Sequence, residues 1–164
     1  MIKKIVDNFV PLSGKHSTTC SIRQVLQFSS INFSEELIFV LSCGLSFNYF
    51  EFKGLPYPMI NGRTRPKIFE ETLSRNSGIN VQYIKTSSEQ KAWKDLVNKI
   101  NQNSPVVTYV NMGALDYFHL PEAFYFGGHC VVVFGIDEED GVVHISDRDR
   151  VGYPITFSPD EQPQ

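Results

Sequence analysis

The chain has 164 residues, a net charge of −3, a pI near 5.8 and 41 % apolar residues. That size predicts a single domain over residues 1–158 with one ordinary core, followed by a polar tail at 159–164. No long basic run is present, which argues against nucleic acid as a partner. No stretch approaches the ~18 apolar residues of a spanning helix, and Met1–Asp7 lacks the apolar centre of a signal peptide, so a cytoplasmic protein without a membrane partner is expected.

In chain order, residues 1–16 read as a short strand or extended arm and then a loop. A helix comes next over Thr18–Phe28, with Ile22, Val25 and Leu26 as its apolar stripe and Ser17 or a neighbouring threonine as its cap. A second helix starts near Ser34 and stops at Cys43-Gly44. Phe47–Phe52 alternates weakly as a strand, and Gly54, Pro56, Pro58 and Gly62 break the next stretch into turns. Pro66 opens a third helix, with Phe69 and Leu73 inward and Gly78 beyond its end. Asn80–Lys85 reads as a strand. Ser87 and Gln90 form a capping box for the clearest helix, whose inner face is Trp93, Leu96, Val97 and Ile100. Pro105–Asn111 is a strand, and an aromatic loop over Met112–Phe126 leads to the last strands. Helices first and mostly strands afterwards predict an α+β domain with an antiparallel sheet.

The most informative stretch is Phe126-Gly127-Gly128-His129-Cys130, continuing into Val131-Val132-Val133-Phe134-Gly135-Ile136-Asp137. His129 heads a strand, a polar turn occupies 138–141, and a second strand over Val142–Asp147 ends on an acid. A histidine at the head of one strand and an aspartate at the end of its hairpin partner can sit side by side, as a base and its orienter do in a nucleophilic triad. Ser17, at the start of an apolar helix, is the candidate nucleophile. Free N–H groups at a helix N-terminus stabilise a developing oxyanion. Each element also has an ordinary reading: a serine there is commonly only a cap, a strand histidine commonly only packs, and Asp147 can simply start a turn.

Three cysteines, Cys20, Cys43 and Cys130, are an odd number without metal-type spacing and read as free thiols. Cys130 should point away from His129, on the opposite sheet face, and Cys43 at a helix end reads as core. The four histidines lack ligand spacing, so no metal and no cofactor is expected. The aromatic segments Phe47–Tyr57 and Tyr117–Phe126 serve either as core or as the walls of an apolar cleft.

Taken together, Gly14-Lys15-His16-Ser17 with Ile22-Arg23-Gln24-Val25-Leu26, Gly44-Leu45-Ser46-Phe47-Asn48-Tyr49-Phe50, Leu115-Asp116-Tyr117-Phe118 and the His129 and Asp147 strands resemble one family over nearly the whole chain. It is the N-terminal domain of butirosin biosynthesis protein H, itself similar to papain-like and bacteriocin-processing cysteine peptidases. The resemblance implies a papain-like fold and an acyltransferase that moves an aminoacyl group from the thioester of an acyl carrier protein to a small amine acceptor. It departs at one position: the family usually has His-Cys where this chain has His16-Ser17. Three explanations stand: Ser17 is a working nucleophile, Cys20 substitutes from one turn further along, or the site is inactive. Members of the family commonly continue beyond this domain. Beside an acyltransferase, the resemblance leaves open a peptidase-like hydrolase, which would let water be the acceptor, and a non-catalytic remnant that binds a carrier or a peptide.

Overall fold

The computed structural model describes residues 2–51, 53, 56–119, 128–148 and 154–157, the last four by backbone alone. Its elements run β1 (Lys3–Ile5), α1 (Ser17–Phe28), α2 (Glu35–Leu41), β2 (Leu45–Phe50), β3 (Met59–Arg63), α3 (Ile68–Ser77), α4 (Glu89–Asn101), β4 (Val106–Asn111), β5 (Gly128–Asp137), β6 (Val142–Arg148) and β7 (Pro154–Phe157). The chain is α+β, and every strand pairing is antiparallel. No helix among the described residues is long and apolar enough to cross a membrane. The chain divides into two compact units, residues 1–35 with 86–164, and residues 36–85.

In the first unit β5 is the central strand. Its run of Val, Ile and Phe is buried from His129 to Asp137, as a strand covered on both faces requires. β4 pairs with the first half of β5, with Val110 opposite His129, and β1 pairs with its far end, with Ile5 opposite Gly135. β6 lies along the other edge and β7 beyond it. The core gathers Ile2, Val6, Ile100, Val133, Phe134 and Ile136, with Leu96 and Val97 of α4 packed against it. Trp93, expected on that inner face, is 40 % exposed, and its indole N–H donates to Glu138 at 3.1 Å. An indole carries a donor that prefers a polar partner, so its ring lies at the rim and not in the core.

The second unit pairs β2 with β3 as a hairpin and buries Ile38, Phe69 and Leu73. β3 lies where turns were expected. Asn61 and Gly62 carry no strand signal, yet Tyr49 pairs with Ile60 and Phe50 with Met59. Asn80–Lys85 is irregular instead of a strand, because it gains no ladder partner among the described residues. Cys43 is exposed and adopts φ 49°, so it ends α2 as the left-handed residue and is not core. Gly78 (φ 75°) does close α3 as expected, its N–H donating to the Ser74 carbonyl. Phe47, Tyr49 and Tyr57 are exposed, so these three are not core, while Phe50 is half-buried.

Two caps also differ from expectation. α4 is capped by Ser88, whose hydroxyl accepts from the Lys91 N–H at 3.2 Å, and not by Ser87. α1 is capped by His16, whose Nδ1 accepts from the Thr19 N–H at 3.3 Å. Ser17 is therefore the first helical residue, one step inside the cap.

Candidate active site

α1 is held to the strands that carry His129 and Asp147. The Ser21 hydroxyl, one turn along from Ser17, donates to the Cys130 carbonyl at 3.1 Å. The Ser146 hydroxyl donates to Gln24 Oε1 at 2.6 Å, and the same oxygen accepts the Leu12 N–H. Arg148 of β6 donates from Nη1 to the Lys15 carbonyl at 3.0 Å, two residues before Ser17.

His129 and Asp147 are brought together. The ladder pairs Val132 with Ser146. One further step sets Asp147 beside Val131, two residues from His129 and on the same face. The imidazole Nε2 lies 2.8 Å from Asp147 Oδ1 and 2.7 Å from Oδ2. Asp147 is 1 % exposed and His129 is 7 % exposed. With the carboxylate as acceptor, Nε2 is the nitrogen that carries the proton, and Nδ1 is the one Asp147 leaves unengaged.

Ser17 is half-buried, and among the described residues its hydroxyl makes no hydrogen bond, to His129 or to any other group. Cys20 lies in a different setting. It is fully buried, its thiol donates to the Leu12 carbonyl at 3.3 Å, and burial, then the Glu35 charge, push that thiol up to about 11. A thiol so disposed is a packed core group and not a nucleophile at neutral pH. Cys130 is buried as well, with its neighbour His129 on the other face of β5.

Two polar residues make contacts that the sequence reading did not assign. Glu35, 7 % exposed, sits beneath the turn that delivers Ser17. Its carboxylate accepts the Lys15 N–H (3.1 Å), the His16 N–H (3.1 Å) and the Thr19 hydroxyl (2.9 Å), with Arg23 Nη1 at 3.6 Å. Arg23 in turn donates to the Ser13 carbonyl. Gly14 completes this turn by having no side chain: a Cβ there would fall 2.4 Å from Cys20 Sγ and 2.7 Å from Glu35 Oε1. Tyr117 is the second. Its hydroxyl donates to Asp147 Oδ2 at 2.9 Å. It lies in a single 3-10 turn, Asp116–Phe118, and the edge-to-face contact of Phe118 with the His129 ring has centroids 5.4 Å apart. In sequence Glu35 looks like an ordinary first-turn acid, and Tyr117 stands out only as part of the family resemblance and of an aromatic segment, so neither was assigned a contact at the site. Gly127 and the rest of the aromatic loop, 120–127, lie outside the described residues. Among the described residues there is no group of three or more His, Cys, Asp or Glu that could hold a metal ion.

These features define an α+β protein with a buried imidazole–carboxylate pair on a sheet hairpin, tied by hydrogen bonds to the first turns of a helix. The chain belongs to the family described as butirosin biosynthesis protein H, N-terminal, which matches residues 16–148 and so includes Ser17, His129 and Asp147. No curated protein and no solved structure matches the chain.

Proposed function

We propose that this chain is a papain-like acyltransferase of antibiotic biosynthesis that passes an acyl or aminoacyl group from a carrier thioester to a small amine through Ser17, His129 and Asp147. The observation that carries this reading is the buried His129–Asp147 hydrogen bond in a chain of the butirosin protein H family, with Ser17 as the first residue of α1. In the first half-reaction His129 Nδ1 takes the Ser17 proton as Oγ attacks the thioester carbonyl. The C–S bond then breaks, and the imidazolium gives its proton to the departing thiolate. In the second, the amine attacks the Ser17 ester, His129 takes its proton, and collapse returns that proton to Ser17 Oγ as the amide leaves. Asp147 holds the ring and stabilises the imidazolium in both. The positive end of the α1 helix dipole favours the oxyanion at Ser17.

A second reading is a binding protein that keeps the geometry without the reaction. It is supported by the serine at the position where the family usually has cysteine and by the lack of a Ser17–His129 hydrogen bond. One experiment separates the two. The protein is incubated with an acyl-pantetheine thioester and read by intact mass, with Ser17→Ala and His129→Ala as controls. An acyl adduct that maps to Ser17 and disappears in both variants supports the acyltransferase, and added amine should then discharge it as amide. Discharge by water alone indicates a hydrolase. Absence of any adduct leaves the binding protein.

A further inference from the structure

Asp147 receives two donors on one oxygen. His129 Nε2 and the Tyr117 hydroxyl both reach Oδ2, at 2.7 and 2.9 Å, from different elements: β5 and the 3-10 turn at 116–118. The carboxylate is 1 % exposed, so solvent cannot replace either donor. A buried carboxylate with a single donor keeps freedom about its last torsion. A second donor from another direction removes that freedom. Tyr117 can only donate here, since burial, then the charge of Asp147, push its phenol well above the ordinary phenol range. Among the described residues the Cys20 thiol of α1 also feels the Asp147 charge and is neutral at physiological pH.

We infer that Tyr117 is a positioning residue: its hydroxyl locks the Asp147 carboxylate so that the His129 proton stays on Nε2 and Nδ1 presents its lone pair. This deepens the proposed function and rests on it for its catalytic meaning, but the tautomer is a property of the resting protein. A histidine with its proton on Nδ1 cannot accept from a nucleophile there, so the fraction of active protein would track the tautomer. The hydroxyl acts at one remove, through Asp147, and touches no reacting atom.

The test is the ring ¹⁵N pattern of His129 in the whole ¹⁵N-labelled protein at pH 8, with the resonance assigned by its loss in His129→Gln. Tyr117→Phe and Tyr117→Leu both remove the hydroxyl, so failure of one to fold leaves the other to be read. Each is expected to raise the Nδ1-protonated share at least about threefold, a change within reach of losing one hydrogen bond to a charged group. Phe118→Leu, which alters packing on the ring but no donor to Asp147, should leave the pattern unchanged. In an Asp147→Asn background Tyr117→Phe should add nothing. An unchanged tautomer in the folded Tyr117 variants overturns the inference, as does an equal change in Phe118→Leu, which would make the effect one of packing. Neither result depends on Ser17 reacting, so a failed acyl-adduct experiment leaves this one readable.

Discussion

Both oxygens of Asp147 lie within 2.8 Å of a single nitrogen, Nε2 of His129, across the β5–β6 hairpin. The two residues are eighteen apart in sequence, and the one-residue register shift between Val133 and Gly135 is what sets Asp147 on the face of His129. A slip of one residue would turn Asp147 to the other face and leave His129 buried without its acceptor.

The first prediction uses that pair as an activator. In a Cys43→Ser background, which removes the exposed thiol, Ser17→Cys should be alkylated by iodoacetamide at neutral pH. His129→Ala should slow this labelling at least about tenfold, the effect of losing a cationic partner for the thiolate. Equal rates with and without the imidazole would sink the activating role of His129.

Truncating the acid should cost stability as well. Asp147→Ala leaves His129 Nε2 and the Tyr117 hydroxyl without their acceptor in a closed site. The expected loss is about 1–3 kcal/mol, the usual range for stranding buried donors. Urea denaturation measures it. A loss near zero would mean that water reaches the pair.

Glu35→Gln tests the turn before Ser17. One carboxylate serves two backbone N–H groups, one hydroxyl and one guanidinium. An amide keeps at most one acceptor oxygen and adds donors where donors already crowd. We expect a loss of about 2 kcal/mol in unfolding free energy. Labelling of Ser17→Cys should slow with it, since the helix start loses its anchor. Unchanged stability would show that Glu35 is a bystander.

Cys20 supplies a prediction in pH. Folding raises this thiol from its ordinary value of 9.0 to about 11, so the native state favours the protonated form. Its contribution to stability is complete below pH 9 and is lost as pH climbs towards 11. The folded protein should therefore leave Cys20 unalkylated at pH 8 and expose it only in denaturant. Cys20→Ala should flatten the fall in stability between those pH values, as monitored by circular dichroism. A slope that survives the substitution would place the alkaline transition elsewhere.

What the sequence made legible was local. The valine run of β5 and the acid at the end of its partner strand made His129 and Asp147 candidates, but an unbroken ladder from the turn would set Asp147 opposite Val132 on the other face; the register shift between Val133 and Gly135, which no sequence pattern marks, sets it beside Val131. The turn of α1 was legible to within a residue, and the cap was misplaced because a histidine seldom fills that role, although its Nδ1 can accept as a serine oxygen does. The contacts of Glu35 and Tyr117 stayed hidden for another reason. Their partners lie sixteen to thirty residues away, and no spacing rule links an acid at one helix start to the N–H groups before another. β3 was missed because Asn61-Gly62 reads as a turn, while Asn48 opposite donates to the Asn61 and Arg63 carbonyls.

The missing side chain at Gly14 has a consequence for anyone who alters this protein. Sulfur and carboxylate already occupy the space a methyl group would need, so position 14 is closed to diversification. A saturation library at position 14 screened for folded protein should return glycine almost uniformly. Efforts to redirect the site towards another acyl group would then have to work around position 14, treating the floor of the entry turn as inherited terrain.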